Sequence, residues 1–189
     1  MDGVHWLSTD RLMLRRFTAG DADWLAALYA DPEVTRYLGG VKRRPQVEDM
    51  LKTRILDYYD AHPGLGIWLT IEKASGDRVG FHLLNNVQGE SLIQVGFGLT
   101  ASAWGRGYGT EMARAVLRYG FIDLRLPRIV GLASLGNVAS RRVLEKIGLQ
   151  RRGERGFAHP AYAAEGPMAF FERERDAWVA DRGVDYESI

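Results

Sequence analysis

Residues 96–121, GFGLTASAWGRGYGTEMARAVLRYGF, carry a strand holding Gly96 and Gly98 into three alternating glycines, Gly105, Gly107 and Gly109, and then straight into a helix. Glycine loses more backbone entropy on folding than any other residue, so three of them before one helix need a reason. One reason is local, since a turn into a helix uses glycine anyway. The other is chemical. The first N–H groups of a helix lack intrahelical partners and carry partial positive charge, so they bind anions, and residues without side chains let phosphate oxygens come close. On the preceding strand, alternation puts Ile93, Val95, Phe97 and Leu99 on one face and Leu92, Gln94, Gly96 and Gly98 on the other. That second face reads as nearly bare, and glycine inside a strand marks a bulge or the close approach of a ligand. The stretch predicts an extended groove beside exposed amides, suited to a phosphate-bearing ligand.

The nucleotide fingerprints do not fit. A dinucleotide loop closes G-x-G-x-x-G on glycine or alanine, but the frame from Gly105 meets Thr110 and the frame from Gly107 meets Met112. A P-loop needs lysine and a hydroxyl residue after its last glycine, and no lysine lies near this turn. NAD and ATP lose ground together, and a plain helix start and an anion loop both stand.

Outward from this stretch the chain alternates between element types. Arg11–Phe17 reads as a first strand, and Asp21 as the cap of a helix whose apolar residues Trp24, Leu25, Leu28 and Tyr29 recur at helical spacing. A second helix runs from Pro45 to about Tyr59 and breaks at HPG. IWLTIEK, RVGFHLLNNV and SLIQVGFGL then read as three antiparallel strands joined by turn-rich segments. After the glycines come a helix from about Arg106 to Phe121, the strand RIVGLAS and a helix from Asn137 to Ile147 stopped by Gly148. Two late strands near Gln150–Phe157 and Pro167–Glu172 follow, with a short final helix ending near Gly183. This is a mixed α/β pattern with no linker, expected to form one domain over residues 1–189.

Composition narrows the partners. The 189 residues include no cysteine, which excludes disulfides, thiolate metal sites and a cysteine acyl-enzyme, and favours an intracellular protein. The net charge of +1 comes from interspersed acids and bases, so there is no footprint for nucleic acid. No apolar stretch reaches membrane-spanning length, and the expected location is the cytoplasm.

GFGLTASAWGRGYGTEMARAVLRYGF resembles the acetyl-CoA-binding segment of the GNAT N-acetyltransferase superfamily, with Gly107 and Gly109 at its two small positions. Trp104 stands where glutamine or arginine is usual, a departure common in the RimJ/RimL-type ribosomal-protein N-terminal acetyltransferase branch. STDRLMLRRFTAGDADWL resembles that branch's first strand and helix. GNVASRRVLEKIGLQRRGERG resembles its second motif, with Asn137, Ser140, Glu145, Lys146 and Gly148 in matching places. The likeness covers most of the chain, in order.

The resemblance implies a mostly antiparallel sheet flanked by helices, whose fourth strand, at 91–99, splays from the fifth, at 128–134. It implies acetyl-CoA as donor and no metal. The pantetheine arm is expected on Phe97, Gly98 and Leu99, and the pyrophosphate on amides from Gly105 through Arg106, Gly107, Tyr108 and Gly109 to Thr110. The Arg106 side chain is read either as a phosphate contact or as solvated. Asn137 is expected at the coenzyme and Ser140 near its sulfur, although both residue types also suit a helix start. Transfer to an amine is direct: the Phe97 amide is the expected oxyanion donor and Ser140 the expected helper of the leaving thiolate. His82, Glu90, Glu165 and Tyr162 are candidate bases, and Trp68, Phe81, His159 and Tyr162 candidate acceptor-pocket residues. The missing strong base leans toward a protein or peptide α-amine. Small amines such as polyamines or antibiotics, or a coenzyme-binding sensor without turnover, are the alternatives. Aromatic residues in FFERERDAW suggest a homodimer through the late strand.

Overall fold

The computed structural model describes residues 7–162 and 166–181. Gly183 and Glu165 lie outside them. Eight strands form one sheet: β1 (Leu7–Ser8), β2 (Leu12–Arg16), β3 (Gly66–Glu72), β4 (Arg78–Asn86), β5 (Ile93–Leu99), β6 (Arg128–Ser134), β7 (Gln150–Arg155) and β8 (Met168–Glu174), in the order β1-β2-β3-β4-β5-β6-β8-β7. Every neighbouring pair is antiparallel except β5 and β6, which run parallel and are in register only at Gln94 and Val130. Beyond that point the two strands part. The sheet is the expected mixed α/β architecture, splayed between the expected strands.

Helices flank it: α1 (Ala22–Ala30), α2 (Pro32–Thr35), α3 (Arg44–Met50), a π-helical stretch (Leu51–Leu56) leading into α4 (Asp57–Ala61), then α5 (Tyr108–Ile122), α6 (Val138–Lys146) and α7 (Arg175–Ala180). The long helix α5 buries Met112, Ala113, Val116, Leu117 and Phe121 and leaves Arg114 and Arg118 in water, the apolar stripe its spacing requires. It lies against β4 and β5 and so starts beside the splay.

Four expectations change. Asp21 does not cap α1: its carboxylate accepts from the Thr18 amide at 2.8 Å and takes both arms of the Arg15 guanidinium at 2.7 Å, because the buried charge is better met by a cation than by helix amides. Helix α5 begins at Tyr108, two residues later than expected, since Gly107 has a φ of 81°, which no helix admits. The glycine face of β5 is not bare. Phe81 and Leu83 pair across from Gly98 and Gly96 and fold over them, so that a Cβ on Gly98 would stand 2.6 Å from the Phe81 ring. Finally, β8 lies inside the sheet with Phe171 in the core, Trp178 of α7 is buried as well, and β7 is the edge strand at that end, mostly exposed and charged. Phe171 and Trp178, two of the aromatic residues that motivated a homodimer, are thus core residues.

Candidate active site

The hydrogen bonds at the two ends of the β4–β5 pair fix which way the β5 backbone points. Thr100 N–H donates to Val79 O at 3.0 Å and Val87 N–H to Leu92 O at 2.8 Å. Antiparallel pairs alternate between bonded and non-bonded, so Gly96 and Gly98 bond to β4, while the N–H and C=O groups of Val95, Phe97 and Leu99 point toward β6. Since β6 has left the register there, Phe97 and Leu99 present backbone to a gap. Trp104 Nε1 takes Leu99 O at 3.0 Å. The exposed amides come from the splay, not from a bare sheet face.

The loop after β5 turns on Gly105 and Gly107, both with positive φ, at 72° and 81°. No side chain caps α5, and its first internal bond is from Glu111 N–H to Gly107 O at 3.0 Å. The amides of Tyr108, Gly109 and Thr110 therefore have no carbonyl of their own helix to bond. Gly109 has ordinary helical geometry. Its missing side chain serves packing, because a Cβ there would stand 3.2 Å from the Phe97 ring and push the helix start off β5.

These parts line one groove of about 530 Å³. Phe97, Gly98, Leu99, Gly105, Gly107, Tyr108, Gly109, Thr110, Asn137 and Ser140 all border it. Arg106 does not: its guanidinium pairs with Glu72 at 2.5 Å and lines a separate depression behind the loop. Its side chain is thus neither free in solvent nor aimed at the groove. The face of α6 supplies Ala139, Ser140, Val143 and Lys146. Asn137 is the true N-cap, its side-chain oxygen accepting from Ser140 N–H at 3.0 Å. The Ser140 hydroxyl makes no hydrogen bond among the described residues.

The opposite wall was not legible in the sequence. It is the turn after α2, where Leu38 reaches over Gly98 and the Tyr37 hydroxyl donates to Gly136 O at 3.2 Å, tying the wall to the turn before α6. The pair Gly39–Gly40, both at positive φ, is the signal available for a turn there.

None of the described base candidates borders the groove. His82 is fully buried under the Phe97 ring, with Thr70 Oγ1 2.7 Å from Nδ1 and Nε2 lying unbonded near the Gly109 backbone. Burial pushes its pKa down to about 3, against a weak opposing pull from the Gly109 backbone, so it is neutral and out of an amine's reach. Glu90 is paired with Arg155 at 2.9 Å, and the Tyr162 hydroxyl accepts from Gln88 N–H at 3.2 Å beside Phe157 and His159. That cluster joins the β4–β5 turn to the segment after β7. Trp68 and Phe81 are core residues.

The state of His82 gives a stability prediction. An unfolded imidazole takes up a proton near pH 6.5 that the folded one refuses down to about 3, so stability is full above 6.5 and is lost as the pH falls through that window. Acidification from pH 7 to 5 is expected to cost roughly 2 kcal/mol, and His82→Asn to flatten that slope. Urea midpoints at several pH values check this. Equal slopes in both proteins contradict it.

Comparison with known proteins gives the chain's family. A family model described as an acetyltransferase (GNAT) domain matches residues 11–150, which span β2 through the start of β7. The chain belongs to the GNAT acetyltransferase family. It is 33% identical over 153 residues to the uncharacterized N-acetyltransferase YoaA of Bacillus subtilis, covering 78% of this chain and 84% of that one. Among solved structures, this GNAT fold superposes on aminoglycoside acetyltransferase AAC(6')-Ib in complex with coenzyme A, with a TM-score of 0.71 at 21% identity over 90% of this chain and 99% of the other. It also superposes on the ribosomal-protein-S5-alanine acetyltransferase of Vibrio fischeri, with a TM-score of 0.70 at 18% identity, covering 93% and 98% of the two chains. No helix among the described residues is long and apolar enough to cross a membrane, and no group of acidic or histidine side chains there could hold a metal ion.

Proposed function

We propose that this GNAT enzyme, its whole chain acting as one domain, moves an acetyl group from acetyl-CoA directly to the α-amine of a protein or peptide. One observation carries the reading: the open backbone of Phe97, the Leu99 amide and the uncapped start of α5 border the same groove. The groove fits the donor's chemistry. Strand-like amides suit the two amides of a pantetheine arm, and three unbonded helix N–H groups suit a pyrophosphate. The structural kinship to an acetyltransferase crystallised with coenzyme A agrees with this.

The chemistry then assigns jobs to residues. Phe97 N–H donates to the thioester oxygen as it gains negative charge. The neutral amine attacks the carbonyl carbon, the C–S bond breaks, and the departing sulfur receives a hydrogen bond from the Ser140 hydroxyl. The attacking nitrogen's extra proton passes to water. Among the described residues Glu33 is the one carboxylate on the groove and stands exposed at its rim, so none of them supplies a buried base there. An α-amine, with a pKa near 8, is partly neutral without help, whereas a lysine near 10.4 is not. That favours the α-amine, as does the structural kinship to a ribosomal-protein acetyltransferase.

The test is a panel of peptides with free N-termini, N-blocked lysine peptides, polyamines and aminoglycosides, read by thiol release and mass spectrometry. Label on the peptide α-amine is expected. Label on lysine or a polyamine, or aminoglycoside turnover alone, overturns the acceptor assignment, and acetyl-CoA binding without any turnover makes the protein a sensor.

A further inference from the structure

The glycine loop is held from behind by side chains that lie outside the groove. Leu12 and Glu72 are register partners on β2 and β3, so Arg11 and Glu72 stand side by side at one end of the sheet, beneath the loop. Arg11 Nη1 donates to Arg106 O at 3.0 Å, its guanidinium covers one face of the Tyr108 ring at 4.7 Å, and its Nη2 stands 3.4 Å from where a Cβ on Gly107 would be. The guanidinium of Arg106 also lies over this ring, at 4.5 Å, and pairs with Glu72, which also accepts from the Tyr108 hydroxyl. Arg11 is fixed in turn by Glu111 at 2.6 Å. Arg106 and Tyr108, on either side of Gly107, are thus clasped by Arg11 just before β2 and by Glu72 at the end of β3.

Magnitude separates two uses for such a network. The Arg11 and Arg106 side chains are 50% and 45% exposed, and ion pairs that open to water add little to stability. What the network does fix is the direction of the loop's carbonyls and amides. An unliganded loop with two left-handed glycines has many conformations, and only those that converge their N–H groups bind a pyrophosphate, so presetting the loop raises affinity.

We propose that Arg11 and Glu72 are positioning residues that preset the glycine loop for the pyrophosphate of the coenzyme. The inference rests on the acetyl-CoA reading above. It predicts an effect confined to the phosphate-bearing part of the ligand.

The experiment compares acetyl-CoA with S-acetylpantetheine, which keeps the thioester and both amides but lacks the pyrophosphate. Both are measured by calorimetry, with competition for the weaker ligand, on the wild-type protein, Glu72→Gln and Arg11→Lys. The wild type is expected to prefer acetyl-CoA by more than tenfold. Each variant is expected to bind acetyl-CoA five- to thirtyfold more weakly and S-acetylpantetheine within twofold of wild type, at a melting temperature within a few degrees. Tyr108→Phe, which removes only the hydroxyl on Glu72, is expected to show a smaller loss of the same kind. Equal weakening of both ligands, or unchanged acetyl-CoA affinity in a folded variant, overturns the clamp. A wild type without preference for acetyl-CoA overturns the coenzyme reading itself, and the clamp with it.

Discussion

Replacing Ser140 by alanine is expected to lower kcat by roughly ten- to a thousandfold, with the lower end favoured because a hydroxyl is a poor acid, and to leave acetyl-CoA affinity within about twofold. The split follows from timing, since a hydrogen bond to sulfur strengthens only as the thiolate forms. Geometry keeps the result interpretable. Asn137 caps α6 through Ser140 N–H, and the Ser140 hydroxyl bonds to nothing else among the described residues, so the variant loses no cap. Asn137→Ala, by contrast, is expected to cost about 1 kcal/mol of stability. Steady-state kinetics beside melting curves for both variants give the answer. Normal kcat in Ser140→Ala removes the serine from the reaction and leaves water as the proton source.

Gly107→Ala is expected to weaken acetyl-CoA binding about tenfold or more, roughly 1.4 kcal/mol, which is the scale of one charge-assisted hydrogen bond. The cause differs from a simple clash with the ligand. At a φ of 81° an alanine costs about 1–2 kcal/mol, and the loop relieves that strain by turning its amides away from the groove. A lower melting temperature is expected alongside. Calorimetric titration of the folded variant decides the matter, and an unchanged affinity removes the coenzyme from this loop.

Much of this was legible in the residues, for identifiable reasons. The strand RIVGLAS is observed as Arg128–Ser134, and the helix read over Asn137–Ile147 spans Val138–Lys146 with those two residues as its caps. Both carry local signals, alternation in one and an asparagine start with a glycine stop in the other. The groove's floor was readable because glycines, a helix start and a strand lie within fifteen or so consecutive positions.

Contacts made over long sequence distances were not readable. Arg11 meets Arg106 and Glu111, and Leu38 meets Gly98, only because the sheet order brings them together. The cross-strand cover of Gly96 and Gly98 by Leu83 and Phe81 depends on register, which one strand's alternation does not specify. The same holds for β8, which follows β7 in sequence but lies between β6 and β7 in the sheet. His82 looked like a base because its chemistry is visible in the sequence while its burial is not.

In the proposed function, bare backbone at the splay and at the start of α5 holds the coenzyme. Amide hydrogen exchange resolved to single residues, with and without saturating acetyl-CoA, tests it most directly. The Phe97 and Leu99 amides and those of Tyr108, Gly109 and Thr110 are expected to slow by at least tenfold on binding, while the amides of β7 and α7 stay unchanged. Saturable binding of acetyl-CoA with no slowing at Phe97 and at Tyr108–Thr110 would contradict it.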